Sequence, residues 1–409
     1  MPKISNNAEK INTSELYSFF NETKKREANG EKIINLGVGL PYHDTPRNIK
    51  DAGIKAIKEG KTKYTPSSGF FGLKEAISNK FKGENLNYSL DQIIISSGAK
   101  PLLAAAQWAI INQGDKVIIP SPYYPPFAEV AKQMGGLPVL VDVLEDTAIA
   151  ETLGCNVSAK AKLLILNSPN NPTGKVYGKK QLDQIAKFAI DNDLWVISDE
   201  CYLNFVYDNK KHFSIASFEG MKERTILIRS FSKSYSMTGW RVGYAAGHGE
   251  VIKKISIYLD NFIGCASSIA QYAALAAFED DKFTENMRAE LDENRKFLME
   301  WLDEREIEYV YPQGAFYVFA KYANLRIYES LPACPRRRAQ AGESTRISTT
   351  TPPCKGGGSI KFALRLLDLG VAVTPGIAFG DYDDYIRISY SVEREKLEEA
   401  LEKIAKNNF

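Results

Sequence analysis

At 409 residues, 44% of them hydrophobic, the chain is long enough for two cores rather than one. Its 52 Lys and Arg nearly cancel its 50 Asp and Glu. That balance leaves no surplus charge to coat a nucleic acid or an anionic membrane, so the expected partners are small molecules or further copies of the chain. No apolar run reaches the length of a membrane span, and the polar start MPKISNNAEKINTSE lacks a secretory core. Cys155, Cys201, Cys265, Cys334 and Cys354 are scattered without a CxxC pair and read as free thiols, which points to the cytoplasm. His43, His212 and His248 show no ligand spacing, so no metal site is expected.

In chain order, NLGVGLPYHDTP near the start reads as a strand and turn, and KYTPSSGFFGLKEAI follows it. From about Asp91 to Gly247 short β-branched runs (QIIISS, DKVIIP, KLLILNSP, LWVISDE, TILIRS) alternate with helix-period segments such as PLLAAAQWAII and QLDQIAKFAIDN. This alternation predicts an α/β fold, a three-layer large domain whose mostly parallel sheet is covered by helices on both faces. The stretch AALAAFEDDKFTENMRAELDENRKFLMEWLDE, past Gln271, reads as helical and links to the tail. GAFYVFA, SIKFALRLLDLGVAVTP, YIRISYS and REKLEEALEKIAK then give strand, helix, strand and helix, a smaller α+β domain that the first residues join. The expected divisions are residues 1–47 (with the small domain), 48–285 (large) and 286–409 (small). Glu329 to Ser359 combines four prolines, a triple Arg and a triple Gly with almost no large apolar residue, and predicts a disordered surface insertion.

Each strand of the large domain ends in polar residues, and open α/β sheets bind ligands at the carboxyl ends of their strands. In SFSKSYSMTGWRVGY, Lys233 follows a strand within three residues, between hydroxyls that include Ser230 and Ser232, and Arg241 comes eight positions later. A desolvated lysine beside cations loses its proton and condenses with an aldehyde, and an arginine fork suits a phosphate. In SSGAKPLLAA a small-residue turn opens a helix, so the backbone amides of Gly98, Ala99 and Lys100 can cradle that phosphate.

The fifteen-residue string around Lys233 closely resembles the cofactor-lysine signature of the class I/II aminotransferases, the fold type I pyridoxal-5'-phosphate (PLP) family. The resemblance runs from about Ile33 to Ile404 and departs only at Glu329 to Ser359. It implies PLP held by Lys233 as a Schiff base. Asp199 in LWVISDECY then pairs with the ring nitrogen, and Tyr202 offers its phenol to the ring oxygen. NSPNNPTG matches the family's NPTG turn and gives Asn171 to the same oxygen. SPYYPPF resembles the loop whose aromatic ring stacks on the pyridine; the following residues align Tyr124 rather than Tyr123 there. Arg387 in YIRISYS corresponds to the clamp on the substrate α-carboxylate, and Gly39 allows close backbone approach on the substrate side. Tyr64 corresponds to the tyrosine sent to the partner subunit's phosphate, so a homodimer with shared active sites is implied.

The implied reaction is a ping-pong transfer of an amino group from an L-amino acid to a 2-oxo acid, with 2-oxoglutarate the expected acceptor. A PLP lyase or cyclase, such as a C–S β-lyase, would use the same carbanion, but MTGWR is more typical of the aminotransferases. A PLP-sensing regulator would need a DNA-binding module, and neither a helix-turn-helix ahead of Ile33 nor a basic excess is present. Aspartate, aromatic and other amino donors all stay open.

Overall fold

In the computed structural model, residues 3–5, 14–145, 149–156, 161–322 and 358–406 are described. The strands are β1 (Ile34–Asn35), β2 (Ile93–Ser96), β3 (Lys116–Ser121), β4 (Leu137–Asp142), β5 (Ala161–Asn167), β6 (Trp195–Asp199), β7 (Thr225–Ser230), β8 (Gly243–Ala246), β9 (Tyr309–Val310), β10 (Tyr317–Lys321), β11 (Val371–Ala372), β12 (Thr374–Pro375) and β13 (Tyr385–Ser389). Seven of them form one sheet in the order β2-β8-β7-β6-β5-β3-β4. All run parallel except β8, which is antiparallel to both neighbours.

Successive residues on a strand face opposite ways, and here both faces are apolar. Ile94, Ile119, Leu163, Ile165, Ile197 and Ile228 pack against one set of helices, among them Ala99–Ile110 and Gly249–Phe262. Ile118, Leu164, Leu166 and Val196 pack the other way, with Leu182 and Ile185 of the helix Lys179–Asp191. Each fully buried branched side chain contributes roughly 1.5–3 kcal/mol, so the middles of the central strands are apolar.

A second, antiparallel sheet has the order β12-β13-β10-β9, and β1 pairs in parallel with β11 through Ile34↔Val371 and Asn35↔Ala372. Phe19, Ile34 and Leu36 share one core with Leu291, Leu298, Phe362 and Leu401, so the start of the chain and its last third bury a common apolar surface. The helical stretch past Gln271 divides in two, Ser268–Ala276 and Lys282–Asp303. The Asp280 carboxylate accepts the Lys282 N–H at 2.8 Å and starts the second helix afresh.

Of the segment read as an insertion, 329–357 lies outside the described residues. Its last two residues were wrongly included, because Gly358 and Ser359 open the helix Gly358–Asp368. Their N–H groups donate to Asp383 at 2.8 and 2.9 Å, and the Ser359 hydroxyl donates to the same carboxylate at 2.8 Å. A capping carboxylate 24 positions away leaves no trace in local composition.

Candidate active site

Because β2, β3, β5, β6 and β7 run the same way, their carboxyl ends lie along one edge of the sheet, and Gly98, Tyr124, Asn171, Asp199 and Lys233 follow those five ends. The segment Gly37 to Leu40, the helix Glu15–Ala28, and Tyr317 and Arg387 from β10 and β13 complete a cavity of about 380 Å³. Its charged lining residues are Lys100, Asp199, Lys233, Arg241 and Arg387. Four cations to one carboxylate select an anionic occupant.

Lys233 sits in the short helix Phe231–Ser234, whose start is capped by the Ser230 hydroxyl accepting the Ser232 N–H at 3.1 Å. Its ammonium donates to the Gly39 carbonyl at 2.5 Å. Burial, with help from the nearby Arg387 and Arg241 charges and against the pull of Cys201 and Asp199, brings it down to about 8. An amine poised this close to neutrality serves as a nucleophile toward an aldehyde and as a proton acceptor.

Asp199 accepts the Cys201 N–H at 3.0 Å, and burial raises its carboxyl above the usual range. A carboxylate in that position gains from a cation brought to it, as a protonated ring nitrogen would be. The Tyr202 hydroxyl is paired with that of Tyr317 at 2.7 Å. Asn171 accepts the Arg387 guanidinium on Oδ1 at 2.8 Å, which leaves its amide NH₂ as the end free to face an oxygen acceptor.

Arg387 is 2% exposed and donates to Asn171, to the Gly37 carbonyl at 2.5 Å and to the Thr374 hydroxyl at 3.2 Å. It is sandwiched against Tyr317 at 4.3 Å and Phe379 at 4.9 Å. Every one of these partners is neutral, and its Nε has no partner among the described residues. Burial lowers its pKa, and a desolvated guanidinium without a counter-ion is built to receive a carboxylate.

Arg241 is exposed and takes the left-handed backbone conformation, φ 58°. Its guanidinium reaches back to the carbonyls of Thr238 and Ser97 at 3.0 and 3.1 Å. Gly98, φ 99°, precedes the helix Ala99–Ile110, and a Cβ there would sit 2.7 Å from the Arg241 guanidinium. The open amides of a twelve-residue helix, an arginine and the Ser230 and Ser232 hydroxyls, themselves 2.9 Å apart, thus share one end of the cavity. These groups fit a phosphate, and the lysine, carboxylate and amide beyond them fit the ring of PLP.

Of the two neighbouring tyrosines, Tyr124 lines the cavity, while Tyr123 gives its N–H to the Phe379 carbonyl at 3.1 Å. Tyr64 lies away from the cavity and is 95% exposed. The sequence reading missed Tyr17, whose hydroxyl meets those of Tyr124, at 3.4 Å, and the Lys100 ammonium. It also missed Tyr317, Thr374 and Cys201, which line the cavity. Only the apolar spacing of Leu16, Phe19 and Phe20 gave any signal of a helix there, and nothing in it pointed to a site.

Residues 31–404 match the family model for aminotransferase class I and II. The chain is 37% identical to an aspartate aminotransferase of Pyrococcus abyssi, with 98% of this chain and 97% of the relative covered. It is 35% identical, at the same coverage, to aromatic-amino-acid aminotransferase 2 of Thermococcus litoralis. Among solved structures, the Thermus thermophilus aspartate aminotransferase with maleate superposes with a TM-score of 0.87 at 31% identity, with both chains covered completely.

Proposed function

The chain belongs to the class I and II aminotransferase family and is a PLP-dependent transaminase; we propose that its amino donor is an amino dicarboxylate of the aspartate class and its acceptor 2-oxoglutarate. The observation that carries this choice is Lys100. Three of the cavity's four cations have tasks: Lys233 binds the cofactor aldehyde, Arg241 its phosphate, and Arg387 the α-carboxylate. The Lys100 ammonium, held by the neutral Tyr17 hydroxyl, is left for a second carboxylate. The names of the relatives support transamination over elimination, and several of them name aspartate.

When bound, PLP supplies a conjugated ring that accepts the electron pair left at Cα after proton loss. The chain's own residues do the rest. Gly98 to Lys100 amides, Ser230, Ser232 and Arg241 hold the phosphate, and Tyr124 covers the ring. Asp199 keeps the ring nitrogen protonated, and Asn171 and Tyr202 donate to the ring oxygen. The Arg387 fork aligns the α-carboxylate so that the Cα proton faces the Lys233 amine, which takes it and returns it as general acid. The apolar walls around Gly39, Tyr317 and Phe20 keep bulk water from these transfers.

Purified enzyme tested with 2-oxoglutarate against the twenty amino acids should prefer aspartate, and Lys100→Met should lower kcat/KM for aspartate at least tenfold while sparing phenylalanine. A wild-type preference for aromatic donors, or an unaffected aspartate rate in Lys100→Met, refutes the dicarboxylate reading.

We further infer a cytoplasmic homodimer whose sites are shared, and domain divisions near residues 47 and 285. Among the described residues no helix is long and apolar enough to cross a membrane. Tyr64, Phe71, Ile54 and Ile57 are 95%, 62%, 49% and 54% exposed, apolar and aromatic side chains of the kind a second copy would cover, bringing Tyr64 to the partner's phosphate. Co-expressed Tyr64→Ala and Lys233→Ala chains should regain activity that neither homodimer has, because the mixed dimer contains one intact site. No recovery counts against shared sites.

A further inference from the structure

Beneath the cavity lies an ionic cluster to which the reaction assigns no task. Strand alternation turns Glu200 away from the side that Asp199 faces and Arg229 away from the side of Ser230. The two meet in the interior, each 1% exposed. Arg229 donates to Glu200 Oε2 through Nε and Nη2 at 3.1 and 2.9 Å, and to both oxygens of Glu84 at 3.0 and 2.6 Å. The Ser198 hydroxyl donates to Glu200 at 3.0 Å, and His212 Nε2 lies 3.2 Å from it. Tyr244, on β8, interacts with the same guanidinium.

A buried pair is a poor device for stability alone, since desolvation cancels most of its attraction. Its placement is specific, however. Glu200 is the peptide neighbour of Asp199, and Arg229 precedes the loop that carries Lys233. Burial opposes ionisation of Glu200, but Arg229 and His212 outweigh it and hold the carboxyl at about 2, so its charge is permanent at working pH. One guanidinium between two carboxylates leaves the trio with a formal charge of minus one, His212 aside. We propose that the Glu200–Arg229 pair positions Asp199, clamping the end of β6 to β7 and fixing the charge that the Asp199 carboxylate meets from its inner side. Glu200 and Arg229 touch neither substrate nor cofactor and act through Asp199.

The inference rests on Asp199 facing the cofactor ring nitrogen, and Asp199→Asn tests that premise separately. If Asn there leaves the spectrum and affinity of bound PLP unchanged, the premise fails whatever Glu200 does. Glu200→Gln keeps the shape and an acceptor oxygen while removing one negative charge. The readouts are the dissociation constant of PLP from the protein and the pH midpoint of the absorption change of bound PLP. In Glu200→Gln the midpoint should fall, on the order of half a unit to one unit, because the site loses negative surroundings. PLP should bind about fivefold more weakly as the clamp loosens. The pair Arg229→Met with Glu200→Gln restores the trio's charge of minus one, so its midpoint should return toward wild type. Glu84→Gln, at the half-exposed end of the cluster, should give a smaller shift of the same sign without disturbing β6 or β7, and serves if the inner variants fail to fold. A wild-type midpoint and affinity in Glu200→Gln with only a lower melting temperature, a double variant that shifts further instead of returning, or an unshifted Glu84→Gln would each overturn the proposal.

Discussion

An ordinary lysine amine titrates near 10.4, so at pH 7.5 only about one chain in a thousand would present it unprotonated. At about 8, the value that burial and the neighbouring arginines give Lys233, roughly a quarter of the chains do, a gain of about two hundredfold in competent amine. The rate at which cofactor-free enzyme captures PLP should therefore rise with pH only up to a break near 8 and then level. Stopped-flow absorbance between pH 6 and 10, normalised to the reaction of PLP with a small primary amine, measures that break. Arg387→Met removes one of the positive neighbours that depress the amine, and should move the break upward. A break near 10 in the wild type, or one that moves downward in Arg387→Met, refutes the argument that desolvation and positive neighbours activate this lysine.

Arg387→Lys keeps the charge but loses the two-pronged fork, and should lower kcat/KM for amino acids by roughly ten- to hundredfold with the spectrum of bound PLP unchanged. Gly39→Ala places a Cβ 2.0 Å from the Tyr317 hydroxyl. Overpacking of that kind costs about 1–3 kcal/mol, visible as a lower melting temperature, and Tyr317→Phe in the same chain should recover part of the loss. Replacing Asp383 by Ala removes the acceptor for three donors at the start of the helix Gly358–Asp368 and should cost about 1 kcal/mol or more, read by urea denaturation.

The parallel core was legible because its strands carry β-branched runs on both faces, and Asp199, Asn171 and Lys233, proposed to meet the cofactor, stood out because they lie at or just past the ends of such runs. β8 gave no comparable signal. Apart from Tyr244 its residues, GYAA, are small and none is β-branched, and Gly243 is required by space: a Cβ there would meet the Gly98 and Ala99 backbone at 2.9 and 3.0 Å. The antiparallel direction of β8 was equally hidden, because the length of the connection from β7 does not by itself set direction. Arg387 was singled out by its motif, but its lack of a charged partner among the described residues, the property that suits it to receive a carboxylate, depends on which residues the fold brings around it. Tyr17 and Tyr317 stand 300 positions apart in the chain and reach one cavity only because the N-terminal helix and β10 both pack over the sheet edge.

β7 and β8 form one antiparallel hairpin, and its connecting stretch holds Lys233 near one end and Arg241 near the other. The residues proposed to hold the cofactor at its aldehyde and at its phosphate are therefore carried on one connection between two hydrogen-bonded strands. Because β7 also pairs with β6 and β8 with β2, that hairpin cannot part without opening the sheet, so loss of bound PLP on heating should coincide with melting of the seven-stranded sheet, read by absorbance and circular dichroism together.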